Sequence, residues 1–96
     1  MSKDFNSIEE VKSFYGRRYR KVLDALAQKG AYDFCVGDGA YLDISFKLSN
    51  RYFDRIWVWI DIRDRWDIHI RHPFFNEEER YYHKTAKELI RTISEL

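Results

Sequence analysis

Ninety-six residues, 45% hydrophobic and 34% charged, make one domain with enough apolar chain to bury a core without staples, which excludes a disordered tract. A net charge of +1 excludes a polyanion mimic and a uniformly basic nucleic-acid binder, although residues 1–30 carry seven Lys/Arg against four Asp/Glu. A lone cysteine, Cys35, excludes an internal disulfide and points to a reducing, cytoplasmic setting, with Cys35 itself expected as a small core residue. The opening residues lack the apolar stretch of a secretion signal, and no run approaches the ~18 apolar residues that span a membrane.

Ser7-Ile8-Glu9-Glu10 is a capping box, and Ile8, Val11, Tyr15, Val22, Leu23 and Leu26 recur behind it at helical spacing. A helix is predicted over Ile8–Lys29, stopped by Gly30. Gly16 inside it costs about 1 kcal/mol relative to Ala, which close approach to a sheet would offset. The period then becomes two. Strands are predicted over Ala31–Val36, Tyr41–Leu48, Arg55–Arg63 and Trp66–His72, with Gly37-Asp38-Gly39 as a turn. A three-residue turn, Arg63-Asp64-Arg65, pairs Ile62 with Trp66, Ile60 with Ile68 and Val58 with Ile70, which keeps one aliphatic face. Pro73 ends the sheet, and Asn76-Glu77-Glu78-Glu79 reads as the cap of a second helix with Tyr82, Ala86, Leu89, Ile93 and Leu96 as its stripe. The sum is an α+β domain, α-β(3-4)-α, an antiparallel meander with both helices packed on one face.

The opposite face of the sheet is predicted to carry Tyr41, Arg55, Trp57, Trp59, Arg63, Arg65, His69 and Arg71, with Asp43, Asp61 and Asp67 among them. Plain solvated sheets show Thr, Lys, Glu and Ser outward instead. Cross-strand aromatic and cation–π pairs that only stabilise the sheet account for such a face. A protein interface accounts for it equally, because Trp, Tyr and Arg dominate interface hot spots. A platform for stacked bases is a third reading, opposed by the aspartates.

The three aspartates would form a row if the strands align them, and a carboxylate row can hold Mg²⁺ for phosphodiester cleavage. Asp43 with Asp61-Ile62-Arg63 resembles the restriction-nuclease pattern of Asp followed by Asp/Glu-x-Lys, with Arg63 in place of the lysine. The competing reading is an Asp/Arg salt-bridge ladder among Asp61, Asp67, Arg63, Arg65 and Arg71. His69, His72 and His83 have no metal-site spacing, and His69 and His72 point to opposite faces of one strand. No catalytic set, metal site or cofactor motif is therefore assigned.

Two basic segments remain. Arg17, Arg20 and Lys21 lie on the exposed side of the first helix, and Lys84 and Lys87 lie in His83-Lys84-Thr85-Ala86-Lys87. That last segment, with helices on one face of a β-meander, resembles the double-stranded-RNA-binding domains, and the resemblance implies Lys84 and Lys87 on phosphates. The family's Gly-Pro-x-His loop is replaced by Gly37-Asp38-Gly39, and Glu77–Glu79 lie where a phosphate would approach. The leading expectation is a non-enzymatic binding protein of inhibitor, immunity, phage anti-defence or regulatory type, docking on a protein through the Trp/Arg face. Nucleic-acid binding through Arg17, Arg20, Lys21, Lys84 and Lys87 is the alternative, and a homodimer burying the Trp face satisfies the same pattern.

Overall fold

The computed structural model describes residues 3–39, 41–51, 54–61, 63 and 65–96. Among them are six strands and three α-helices. The order is β1 (Lys3–Phe5), α1 (Ile8–Tyr15), α2 (Arg20–Gln28), β2 (Tyr32–Val36), β3 (Asp43–Lys47), a 3₁₀ turn (Ser49–Arg51), β4 (Arg55–Ile60), β5 (Trp66–His72), β6 (Glu77–His83) and α3 (Ala86–Glu95). The strands form one antiparallel sheet in the order β1-β2-β3-β4-β5-β6. The α+β class with an antiparallel sheet holds, while the α-β(3-4)-α layout gives way to a longer meander. No helix among the described residues is long and apolar enough to cross a membrane.

The core follows the predicted periodicities. Leu42, Ile44, Phe46, Leu48, Ile56, Val58, Ile68 and Ile70 are buried from the strands and their flanks. Val11, Tyr15, Val22, Leu23, Leu26, Leu89 and Ile93 are buried from the helices, in the same cluster. Cys35 is a correction: Phe34 and Val36 take the core positions of β2, so Cys35 is half-buried on the opposite parity, between Asp4 and Ser45.

The predicted first helix is two helices. Gly16 has φ +66° and ψ −130°, and Tyr19 has φ +61°. Both lie outside the right-handed helical region, so the chain turns between them. Gly16 does not serve close packing, because a Cβ there would meet nothing within 4 Å; the glycine is needed for its backbone angle. The Tyr15 hydroxyl donates to the Asp43 carbonyl (3.3 Å) and accepts from the Asp43 N–H (3.1 Å), pinning the end of α1 to β3.

The β4–β5 register differs from expectation by two. Ile60 pairs with Trp66, Val58 with Ile68 and Ile56 with Ile70. The Asp61 N–H donates to the Arg65 carbonyl (3.1 Å), so the turn closes between Asp61 and Arg65 rather than between Ile62 and Trp66. The Asp61 carboxylate selects this turn by accepting from the N–H groups of Arg63 (2.8 Å) and Arg65 (3.1 Å) and from Arg65 Nε (2.8 Å). Hydrophobic pairing alone could not show those bonds. The predicted partner of Trp66, Ile62, lies outside the described residues. Because the shift is even, the paired side chains of β4 and β5 keep their predicted faces: Trp57 lies opposite His69 instead of Arg71, and Trp59 opposite Asp67 instead of His69.

The predicted second helix starts nine residues late, capped by Thr85 rather than Asn76. Glu77–His83 is instead β6, paired with β5 along its whole length. It satisfies the ladder groups of β5 that would otherwise be an open edge. The helix proper starts at a second capping box, Thr85-Ala86-Lys87-Glu88. The Glu88 N–H donates to Thr85 Oγ1 (3.2 Å), and Glu88 Oε2 accepts from the Lys84 N–H (3.2 Å). Leu89 and Ile93 are buried as predicted, but Tyr82 is 54% exposed on the sheet.

Candidate functional site

Three basic segments distant in sequence meet at one end of the molecule. The Tyr19 ring, at the start of α2, packs edge-to-face on Trp66, at the start of β5, with centroids 6.0 Å apart. Trp66 is opposite His83 in the sheet, and His83 Nδ1 donates to the Trp66 carbonyl (3.1 Å) while Nε2 lies 2.7 Å from Thr92 Oγ1. The starts of α2 and α3 are thus neighbours. Their ends are too, since Lys29 Nζ donates to the Ser94 carbonyl (3.4 Å). The two helices run side by side in the same direction, and Arg17, Arg20 and Lys21 share an end with Lys84 and Lys87. All five are exposed. Arg63 and Arg65, predicted for the Trp face, belong to the hairpin that leads into Trp66, so they join this end as well, both exposed.

The electrostatics of this end depend on β6. Were residues 77–83 helical, Glu77–Glu79 would stand about one and a half to two turns from Lys84. As a strand they are drawn out at about 3.3 Å per residue, which carries Glu77 about 20 Å from His83. The acidic run thus sits at the opposite end of the molecule. Of the basic residues at this end, Arg65 is held by Asp61 (2.8 Å) and lies 5.1 Å over the Tyr82 ring, and Arg20 donates to the Gly16 carbonyl (3.2 Å), a neutral acceptor. Lys12 is not part of the patch; it is paired with Asp24 at 2.7 Å.

The outer face of the sheet carries the other predicted residues. One row runs Ser45, Trp57, His69, Arg80, and the next runs Asp43, Trp59, Asp67, Tyr82. Trp57 and Trp59 are half-buried. The His69 ring lies against both, with centroids at 5.4 and 6.2 Å, and the Arg80 guanidinium lies 5.9 Å over Trp59. Arg55 is consumed within the sheet by Asp33 and Ser45, each at 2.9 Å. Arg71 and Tyr41 are exposed. Arg80 and Tyr82 join this face because residues 77–83 are a strand where the sequence predicts a helix. Among the described residues, two buried side-chain atoms lack hydrogen bonds, Asp67 Oδ1 and His69 Nε2, and both belong to this face. His69 Nε2 is 3.3 Å from Glu78 Oε2 but is not aligned with it as a hydrogen bond. Burial, then the charge of Asp61, push the Asp67 carboxyl above its ordinary range.

The aspartate row is not formed. Trp59 stands between Asp43 and Asp67, and Asp61 is committed to the hairpin. No group of three or more His, Cys, Asp or Glu among the described residues is arranged to hold a metal ion. Among the described residues, the predicted salt-bridge ladder is present as Asp61–Arg65 alone.

A further cluster had no sequence signal. His72 is clamped between Asp54 (Nδ1–Oδ1, 2.9 Å) and Glu79 (Nε2–Oε2, 2.6 Å), with Arg51 on Asp54 (3.4 Å) and the Tyr81 hydroxyl on Glu79. The bond to Glu79, then that to Asp54, raise the His72 pKa against the opposing effect of burial. The bonds from Tyr81 and His72 lower that of Glu79. The cluster borders a cleft of about 910 Å³ lined also by Phe74, Phe75 and Leu96. With both ring nitrogens engaged by carboxylates, His72 is a clamp rather than a free base.

No known family model matches the chain, and no curated protein or solved structure matches it either.

Proposed function

We propose that this protein binds the phosphate backbone of a nucleic acid through its basic end, with Arg17, Arg20, Lys21, Arg63, Lys84 and Lys87 as the contacting cations. The observation that supports this best is the meeting of the Tyr19, Trp66 and His83 segments, which gathers exposed cations from three parts of the chain. Phosphate contacts by such side chains supply affinity and position rather than base sequence. The short segment at the start of α3 keeps its likeness to the double-stranded-RNA binders, whereas the six-stranded sheet departs from their topology. The reaction is binding alone, in a cytoplasmic setting that suits one unpaired cysteine.

The test is fluorescence anisotropy with duplex RNA, duplex DNA and single strands over a salt series. Binding should weaken with salt at about 0.9 per phosphate neutralised in the logarithmic slope for a DNA duplex. Lys84→Ala with Lys87→Ala should reduce that slope by about one per lysine. A folded wild type that binds none of these at low salt ends the reading.

Docking of a protein inhibitor or immunity type on the outer face remains the second reading. It is favoured by half-exposed Trp57 and Trp59 beside two unsatisfied buried polar atoms. Co-purification from the native host with wild type and with Trp59→Ala plus Arg71→Ala separates it from the first. A partner retained equally by the folded double variant would remove this face from consideration.

A further inference from the structure

The two edges of the sheet are unequal. β1 has three residues and includes Lys3 and Asp4, a short and charged edge of the kind that resists further pairing. β6 has seven residues, contains no proline or lysine, and pairs with β5 without a bulge. Its other side has no strand among the described residues. A regular edge of this length presents a row of ladder groups to any extended chain that can match it.

The sequence of β6 says which chain matches. Its first half is acidic, Glu77-Glu78-Glu79, and its second half, Arg80-Tyr81-Tyr82-His83, is basic and aromatic, followed by Lys84. An antiparallel copy of the same strand lays the acidic half of each on the basic half of the other. Outward side chains must also stay opposite outward ones, which permits only registers shifted by an even number. Centring on Arg80 would oppose two arginines. Centring on Tyr81 sets Glu78 against Lys84 and Arg80 against Tyr82, and the two-fold axis repeats each pair. Opposite-charge and cation–aromatic cross-strand pairs of this kind stabilise a sheet.

We infer that β6 is a homodimerisation edge, and that two copies join antiparallel about Tyr81 into one continuous twelve-stranded sheet. The partner is a second copy of this chain because the edge is complementary to itself, an isologous contact that closes at two. The inference stands apart from the nucleic-acid reading. The basic residues Arg17, Arg20, Lys21 and Arg63 lie outside the strand, and only Lys84 is shared.

The test is sedimentation equilibrium without nucleic acid. The expected wild-type mass is twice the 11.8 kDa of the chain. Glu78→Lys places two lysines opposite each other and Lys84→Glu two glutamates, so each variant alone should be monomeric, with its fold checked by thermal melting. Mixing them restores both pairs, and the mixture should sediment as a heterodimer. A wild type that stays monomeric to its solubility limit overturns the inference, as does a dimer whose mass neither variant changes. If either variant fails to fold, amide exchange of the wild type decides. The β6 N–H groups that face away from β5 should gain protection as concentration rises, and concentration-independent exchange overturns the edge.

Discussion

The Tyr19 ring meets the Trp66 ring edge-to-face at 6.0 Å, and this contact joins the start of α2 to the start of β5. Because the Trp66 carbonyl also receives the His83 hydrogen bond, one residue, through its ring and its backbone, positions the basic segments before α2 and before α3 relative to each other. Tyr19 makes a second edge contact with Tyr15 at 5.6 Å, so it bridges α1 as well. Tyr19→Ala removes both ring contacts and should lower stability by about 1–3 kcal/mol, read from the urea midpoint. At temperatures where the variant remains folded, its nucleic-acid affinity should fall with little change in salt slope, since no cation is lost. A slope reduced as much as by removal of the lysines would show that Tyr19 does not act through position.

Gly16 separates two accounts of the first helix with opposite signs. Inside a continuous helix, Gly16→Ala would stabilise the protein by about 1 kcal/mol. At φ +66° and ψ −130°, a region open almost only to glycine, the same change should destabilise it by about 1–3 kcal/mol although its Cβ has room. Denaturant titration of the single variant gives the sign directly.

The clamp on His72 predicts a pH window. Its pKa is raised in the folded state, so its contribution is complete below the unfolded value of 6.5 and disappears as pH rises through the raised value. The Glu79 pKa is lowered, so its contribution is present above the unfolded value of 4.5 and is lost as pH falls through the lowered one. The cluster therefore stabilises most between those limits, in mildly acidic solution. His72→Gln should flatten the decline of urea midpoint between about pH 6 and 8, where histidine titrates. A wild type and variant whose midpoints stay a constant distance apart over that range would show that His72 does not titrate with folding.

The alternation of Leu42 through Leu48, Ile56 through Ile60 and Trp66 through Ile70 determined the strands, their faces and the core. Side-chain parity is a local property of an extended chain, and a two-residue error in register leaves it untouched. The helical stripe of Val11, Tyr15, Val22 and Leu26 was equally legible, even though the helix is broken, because α1 and α2 both return their apolar residues to the same core. The break itself was hidden, since Gly16 satisfies either a helix interior or a positive φ. Residues 77–83 were the largest departure. Glu and Arg form helices readily in isolation while Tyr favours strands, so composition alone does not decide the segment, and the open edge of β5, a neighbour in space, makes a strand the lower free energy there. That one tertiary decision draws Glu77–Glu79 away from Lys84, adds Arg80 and Tyr82 to the outer face, and aligns β6 as a free edge. The residues Arg17, Arg20, Lys21, Lys84 and Lys87 could be named from sequence as exposed cations. Their meeting at one end rests on contacts among Tyr19, Trp66 and His83, which lie far apart along the chain and become neighbours only when the helices bury their stripes against the sheet.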